Sequence, residues 1–315
     1  MYKIHFPHGI MFHHFHDNKK HLKGQGSISG RQFEKIINFI GAHNISSPEN
    51  FLKDLKKNDK KVCLTFDDSL KSQFDIAIPI MKKYNIKGYF FIYTSVLTKN
   101  FEYMEIYRFF RDNYFRNIDE FYDLFFKNFE LYKQVPLKSI LKKKDKLFQQ
   151  IKVNAPFYSK NDITYRYLRD HKLCKIDLHK IMTKILKDKK VNIDDIKKKV
   201  FMNKLQIKKL SDYGHEIGLH SHSHPYLMKK LSKDQQFKEY STNKNILKKI
   251  TKKKIFSMSH PCGSFNNHTL NILKKLDINL GFKSSLILDN INMNINKSNL
   301  EIAREDHSNI MRKIK

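Results

Sequence analysis

Apolar positions along the chain follow two rhythms. "KVCLTFDD" (61–68) and "KGYFFIYTS" (87–95) hold short unbroken apolar runs, as strands buried on both faces do. Between them "SQFDIAIPIMKKYNI" (72–86) reads as a helix liable to a kink at Pro79. Strand, helix and strand in succession form a βαβ unit, which predicts a parallel sheet. Upstream, "HGIMFHHF" (8–15) predicts a short strand with histidines at its C-terminal side. "SISGRQFEKIINFIGAH" (27–43) sets Phe33, Ile36, Ile37 and Ile40 at helical spacing.

From about residue 100 to 210 the rhythm changes. "MEIYRFFRDNYFRNIDEFYDLFFKNFELYK" (104–133) places aromatics three and four residues apart on a charged background. That spacing predicts helices with a wide apolar face, and such a stripe is the mark of core packing. "NIDDIKKKVFMNKLQIKKLSDYG" (192–214) continues helical towards a C-cap at Gly214. Strands then return in "HEIGLHSHSHP" (215–225), "KIFSMSHPCG" (254–263) and "INLGFKSSL" (278–286). The expectation is one α/β domain over 1–315 with a helical insertion at about 100–210. Periodicity alone leaves open whether its sheet is a barrel or open.

Composition narrows the partners. With 40% hydrophobic and 13% aromatic residues in 315, the chain can bury a sizeable core. Ten glycines and seven prolines are too few for loosely tethered domains. A formal charge of +30 invites a nucleic-acid reading, but lysine-rich runs such as "LKKKDK" and "TKKKI" read as solvated faces. We therefore expect no nucleic-acid partner. The alternative to solvated faces is a charge that helps attract a phosphorylated substrate or gives peripheral contact with an anionic membrane surface. Cys63, Cys174 and Cys262 are far apart, form no CxxC pair and build no disulfide framework. The first residues lack the charged and apolar regions of a signal peptide, and no stretch approaches the roughly 20 apolar residues of a membrane span. A cytoplasmic location is expected.

Two segments carry the chemistry. In "LTFDDSL" (64–70) the carboxylates Asp67 and Asp68 stand side by side where a strand should end, and such a pair needs a compensating cation. In "HSHSHP" (220–225), Pro225 disfavours a helical His224, so a strand running out into a loop is predicted, with His220, His222 and His224 on one strand face. Two histidines and one carboxylate form a common ligand set for a catalytic divalent metal with an open water position. The second carboxylate would then be a general base. On these residues alone, metal-assisted hydrolysis stands beside a structural metal or none.

The order of "TFDD", "GHEIGLHSHSHP" and "SHPCGSFN" resembles the polysaccharide deacetylase (chitin deacetylase-like) family of carbohydrate esterases. The resemblance covers 61–95 and 212–285, and "IMFHHFHD" extends it to the N-terminal strand of one branch. It implies a distorted (β/α) barrel and removal of acetyl groups from sugars, while the helical insertion at about 100–210 matches no core motif of the family. It makes Asp67 the base, and Asp68, His220 and His224 the ligands of a divalent metal, most readily Zn²⁺. His222 has no role in that pattern. Pro261, Cys262 and Gly263 match the family's proline, tyrosine and glycine, so the main-chain N–H of Cys262 would hold the oxyanion. The chain departs from the pattern at Ser259, where an arginine usually orients the base, and Arg304 in "EIAREDH" is the expected replacement. Ser69 replaces a frequent glycine. With no clear late histidine, His13 is the expected general acid, with His14 and His307 as rivals. The expected function is therefore hydrolysis of an N-acetylated sugar, as a nucleotide- or lipid-linked precursor in surface glycan biosynthesis. A catalytically silent sugar-binding or assembly protein and an amidase on a non-sugar amide are the alternatives.

Overall fold

The computed structural model describes residues 2–99, 101–142, 148–149, 159–285 and 296–314. Its strands are β1 (His8–Phe12), β2 (Phe15–His16), β3 (Ile28–Ser29), β4 (Val62–Phe66), β5 (Tyr89–Ile92), β6 (Glu216–Leu219), β7 (Ser257–Ser259), β8 (Leu280–Ser285) and β9 (Ile302–Asp306). β1 and β4 to β9 form a closed barrel in that order, every pairing parallel, with β9 returning to β1. β2 and β3 make a separate two-stranded ribbon. The parallel sheet predicted from the βαβ pattern is present, and the barrel implied by the resemblance is its form.

Alternation within each strand sorts the side chains into two layers. Cys63, Tyr89, Phe91, Leu280, Phe282 and Ile302 pack together with Phe51, the last from helix Pro48–Lys57. The alternate residues Ile10, Phe12, Leu64, Phe66, Phe90, Ile92 and Leu219 form the larger cluster with helix residues such as Phe33, Ile37, Leu210, Leu247 and Leu273. Both strand faces are therefore buried, which is why these strands read as continuous apolar runs. Under the C-terminal ends of β1 and β4, Phe66 stacks on Phe90 at 4.5 Å and Phe12 meets Phe33 edge-on at 5.0 Å. Such pairs add about 0.5–1.5 kcal/mol each beyond burial, so the strand ends that carry the candidate site rest on a stiff base.

Helices differ from expectation in detail. The disturbance predicted near Pro79 is a π-turn over Gln73–Ala77, and Pro79 lies in the first turn of the α-helix Ile78–Lys83 that follows. Helical backbone is continuous from Lys71 to Lys83, so Pro79 sits within it, and the wider π-turn covers Asp75, four residues before, whose carbonyl the proline ring would otherwise crowd. The long helical stretch before Gly214 is two helices, Ile193–Val200 and Lys204–Asp212, the second started by an Asn203/Gln206 capping box. Gly214 follows the second with φ +84°.

The chain divides into two compact units, Met1–Glu102 with Lys198–Lys315, and Tyr103–Lys197. The second unit lies in sequence between two parts of the first. Its aromatic stripe is buried: Phe121, Tyr122 and Phe125 of helix Ile118–Lys133 surround Tyr165, with Phe125 edge-on at 4.8 Å.

Candidate active site

At the end of β4 the backbone turns sharply, Asp68 and Ser69 both taking left-handed conformations at φ +74° and +61°. Few residues other than glycine and asparagine adopt these readily. Here the Ser69 hydroxyl accepts the Tyr93 N–H at 3.2 Å, and the Ser69 carbonyl accepts the Met202 N–H at 2.9 Å. These bonds offset the strain of the missing glycine. The turn directs the two carboxylates to different partners.

Asp67 is 2% exposed and meets Arg304, whose Nη1 and Nη2 donate to its two oxygens at 2.8 and 2.9 Å. Ser259 Oγ donates to Asp67 Oδ2 at 3.2 Å. Burial alone would raise the Asp67 carboxyl, but the Arg304 charge, His220 and the direct bonds outweigh it and hold it below the usual carboxylate range.

Asp68 faces the histidines. Its Oδ1 is 3.4 Å from Nε2 of His220 and 3.4 Å from Nε2 of His224, and those two nitrogens are 3.2 Å apart. Metal bonds of about 2.0–2.2 Å in a tetrahedral arrangement separate their donor atoms by about 3.3–3.6 Å. The three atoms thus have the spacing of three corners around one divalent cation. His220 Nδ1 bonds the Ser259 carbonyl at 2.9 Å, which as a donor leaves Nε2 as the lone-pair atom turned into the site. Electrostatics agree with the donor set. Burial opposes charge on both groups, yet His220 is drawn up by Asp67 and Asp68, while Asp68 is held far below the usual range by the bond to His220 and by the surrounding histidines. The site is built for positive charge.

The histidine segment leaves the sheet earlier than predicted. β6 ends at Leu219, and Ser221 and His224 take left-handed backbone at φ +60° and +49°. The three histidines therefore do not share a strand face. The turn brings His220 and His224 together and sends His222 away, its Nδ1 2.9 Å from Thr94 Oγ1. Residues without a sequence signal hold this turn. Glu239, on helix Lys233–Thr251, accepts the N–H groups of His222 and Ser223 at 2.9 and 2.7 Å. Buried Asn243, one turn further on, accepts the His220 N–H at 3.0 Å and donates to the Ile92 carbonyl at 2.9 Å. The Tyr93 ring lies 5.1 Å from that of His224.

His13 follows β1, its Nε2 3.7 Å from Asp68 Oδ2 and its side chain about a quarter exposed. His14 stacks beside it at 6.2 Å. His307 is buried against Phe12, with Nδ1 3.3 Å from the Met11 carbonyl. Cys262 sits in the turn Pro261–Gly263 after β7, with left-handed backbone at φ +51° and an exposed side chain. The structure thus brings Asp67, Asp68, Arg304, His220, His224 and His13 together and puts Cys262 at the same strand-end face.

The model of the polysaccharide deacetylase family matches residues 54–114 and 180–281, more than half of the chain. The chain belongs to this family. Solved structures similar to this deacetylase-family chain include the Streptococcus pyogenes deacetylase PplD in complex with acetate. It is 16% identical with a TM-score of 0.56, over 99% of this chain and 100% of that one. IcaB from Ammonifex degensii is 12% identical with a TM-score of 0.55, over 98% and 96% of the two chains. A de-N-acetylase from Aggregatibacter actinomycetemcomitans is 12% identical with a TM-score of 0.54, over 98% and 99%. At these identities the likeness is one of fold. No curated protein matches the chain. No helix among the described residues is long and apolar enough to cross a membrane.

Proposed function

We propose that this chain is a metal-dependent hydrolase that removes the acetyl group from an N-acetylated sugar. The observation that carries the reading is the pairing of an Asp68–His220–His224 donor set with a second carboxylate, Asp67, whose Oδ2 is 4.0 Å from His220 Nε2. Family membership and the de-N-acetylase among the similar folds support the amide as the scissile group.

A divalent cation held by Asp68, His220 and His224, Zn²⁺ by its preference for nitrogen and oxygen donors, supplies Lewis acidity and lowers the pKa of water from about 15.7 towards about 7. Asp67, kept ionised by Arg304 and oriented by Ser259, takes the proton of the attacking water. The main-chain N–H of Cys262 donates to the oxyanion, a contribution of about 3 kcal/mol in comparable sites. His13 protonates the leaving amine. His13 is the half-buried candidate 3.7 Å from Asp68, with the His14 ring stacked on it, whereas His307 is buried and packed on Phe12.

The lysine excess, with a net charge of +30, favours a phosphate-bearing carrier, so the substrate we infer is a nucleotide- or lipid-linked precursor in surface glycan biosynthesis. The alternative of a silent binding protein rests on the absent motif arginine and on Cys262 in place of the family's tyrosine. Arg304 in contact with Asp67 speaks against the first of these.

The test is acetate release from nucleotide-linked, lipid-linked and free N-acetyl sugars by wild type, chelator-treated protein and Asp67→Asn. Metal-dependent release lost in Asp67→Asn is expected. Release that persists in Asp67→Asn, or none from any substrate by metal-loaded wild type, would overturn the reading.

A further inference from the structure

Gln73 lies six residues beyond Asp67, in the π-turn Gln73–Ala77, and is fully buried. Its Nε2 donates to two carbonyls, His13 O at 3.0 Å and Asp67 O at 2.6 Å. One side-chain amide thus ties the end of β1 to the end of β4. Its Oε1 is buried without a hydrogen-bond partner among the described residues. Leaving a buried acceptor unmet is costly, and what is set against that cost is a pair of donated bonds that both end on backbone at the candidate site.

Other bonds already hold these two segments together. The Asp67 N–H donates to the Phe12 carbonyl at 3.1 Å, and the Phe15 N–H to Ser72 Oγ at 3.3 Å. Those bonds flank His13 on either side, and the bond to the His13 carbonyl itself comes from Gln73. Gln73 is the first residue of the π-turn, which the Ile78 N–H closes on the Gln73 carbonyl. Such turns recur at functional sites.

We propose that Gln73 is a positioning residue that fixes the His13 backbone relative to Asp67, so that the swing of the imidazole is confined to the site. The proposal rests on the reading of His13 as the general acid. A misplacement of about 1 Å costs on the order of a hundredfold in rate. The cost should fall where the leaving group needs a proton. An amide nitrogen leaves only when protonated, whereas a coumarin phenolate leaves unaided.

The experiment compares wild type, Gln73→Met, Gln73→Asn and His13→Ala on N,N′-diacetylchitobiose and on 4-methylumbelliferyl acetate. It adds hydrogen–deuterium exchange of the 12–16 backbone in metal-free protein and a thermal melt. Gln73→Met is expected to lose about 10- to 100-fold in kcat on the amide with KM within about twofold. On the ester it should lose no more than about threefold, and exchange at 12–16 should speed up by more than any change in Tm accounts for. Gln73→Asn, which keeps the amide group on a shorter arm, should recover part of the loss.

Equal losses on amide and ester, or unchanged exchange at 12–16, would overturn the proposal. If His13→Ala itself shows no selective loss on the amide, the reading of His13 fails and the proposal with it. If His13→Ala is selective and Gln73→Met is not, the proposal alone fails.

Discussion

Arg304 on β9 reaches across β1 to hold Asp67 at the end of β4, and Gly9 on β1 is what lets it pass. Gly9 is the register partner of Arg304, and a Cβ there would stand 2.9 Å from Arg304 Cγ. The strand that closes the barrel therefore also fixes the candidate base. Replacing Arg304 by methionine leaves a carboxylate buried without its counter-charge, at a cost of about 3–5 kcal/mol. The expected result is a large drop in Tm and loss of at least about a hundredfold in kcat/KM. Arg304→Lys, which keeps the charge but not the paired geometry, should fall between. Melting curves and acetate-release kinetics check both. Near-normal activity in Arg304→Met would show that Asp67 does not depend on it.

The Asp68–His220–His224 set makes metal binding visible in stability. A cation that binds only the folded chain stabilises it by about 2.7 kcal/mol at a hundred times its Kd. Chelation is therefore expected to lower Tm, and added Zn²⁺ to restore it, in wild type. Asp67→Asn should keep that Zn²⁺-dependent rise, whereas His220→Ala and Asp68→Ala should lose it. Scanning fluorimetry with chelator and with Zn²⁺ decides. A rise of wild-type size in His220→Ala would remove that residue from the ligand set.

Much of the barrel was legible because strands buried on both faces are written as apolar runs. β9 was not, because "IARED" carries Arg304 and Glu305, both buried. Much of their compensation lies far away in sequence, Asp67 for Arg304 and Tyr2 for Glu305, with Lys313 on the helix that follows. A local pattern cannot show that a charge is satisfied. The paired carboxylates and the histidine run stood out by residue type and spacing. Gln73, Glu239 and Asn243 did not, since single polar residues in helical stretches look like solvated positions until the fold turns them inward. The loss of a shared strand face for the three histidines is a matter of two left-handed residues, Ser221 and His224, which periodicity does not register.

Ser69 offers a test of strain against hydrogen bonding. Glycine would relieve the left-handed backbone, worth about 1 kcal/mol, but lose the bond from the Tyr93 N–H. The two effects should nearly cancel, and Ser69→Gly is expected within about 1 kcal/mol of wild type. Ser69→Ala keeps the strain and strands a buried N–H, so a loss of about 1–3 kcal/mol is expected. Urea titration of the two variants measures the difference. Equal stabilities for alanine and glycine would show that the hydroxyl contributes nothing.

Glu216 gives a pH dependence whose sign can be worked out away from the metal-ligand set. It opens β6, with Oε1 accepting from Ser257 Oγ at 3.0 Å. Burial pushes its carboxyl up to about 8, against smaller opposing effects of the Ser257 bond, the Phe256 backbone and Lys253. The folded chain therefore holds a proton that the unfolded chain releases near the ordinary carboxylate value of about 4.3. Between that pH and about 8 the folded state binds more protons, so its stability falls as pH rises, and levels off above. Each unit of separation is worth about 1.4 kcal/mol at most. Glu216→Gln keeps a neutral hydrogen-bonding group at all pH values. It should leave stability near pH 5 about unchanged and raise it by a few kcal/mol at pH 9. Urea midpoints of both proteins at the two pH values test this. A parallel decline in wild type and Glu216→Gln would assign the slope to other groups.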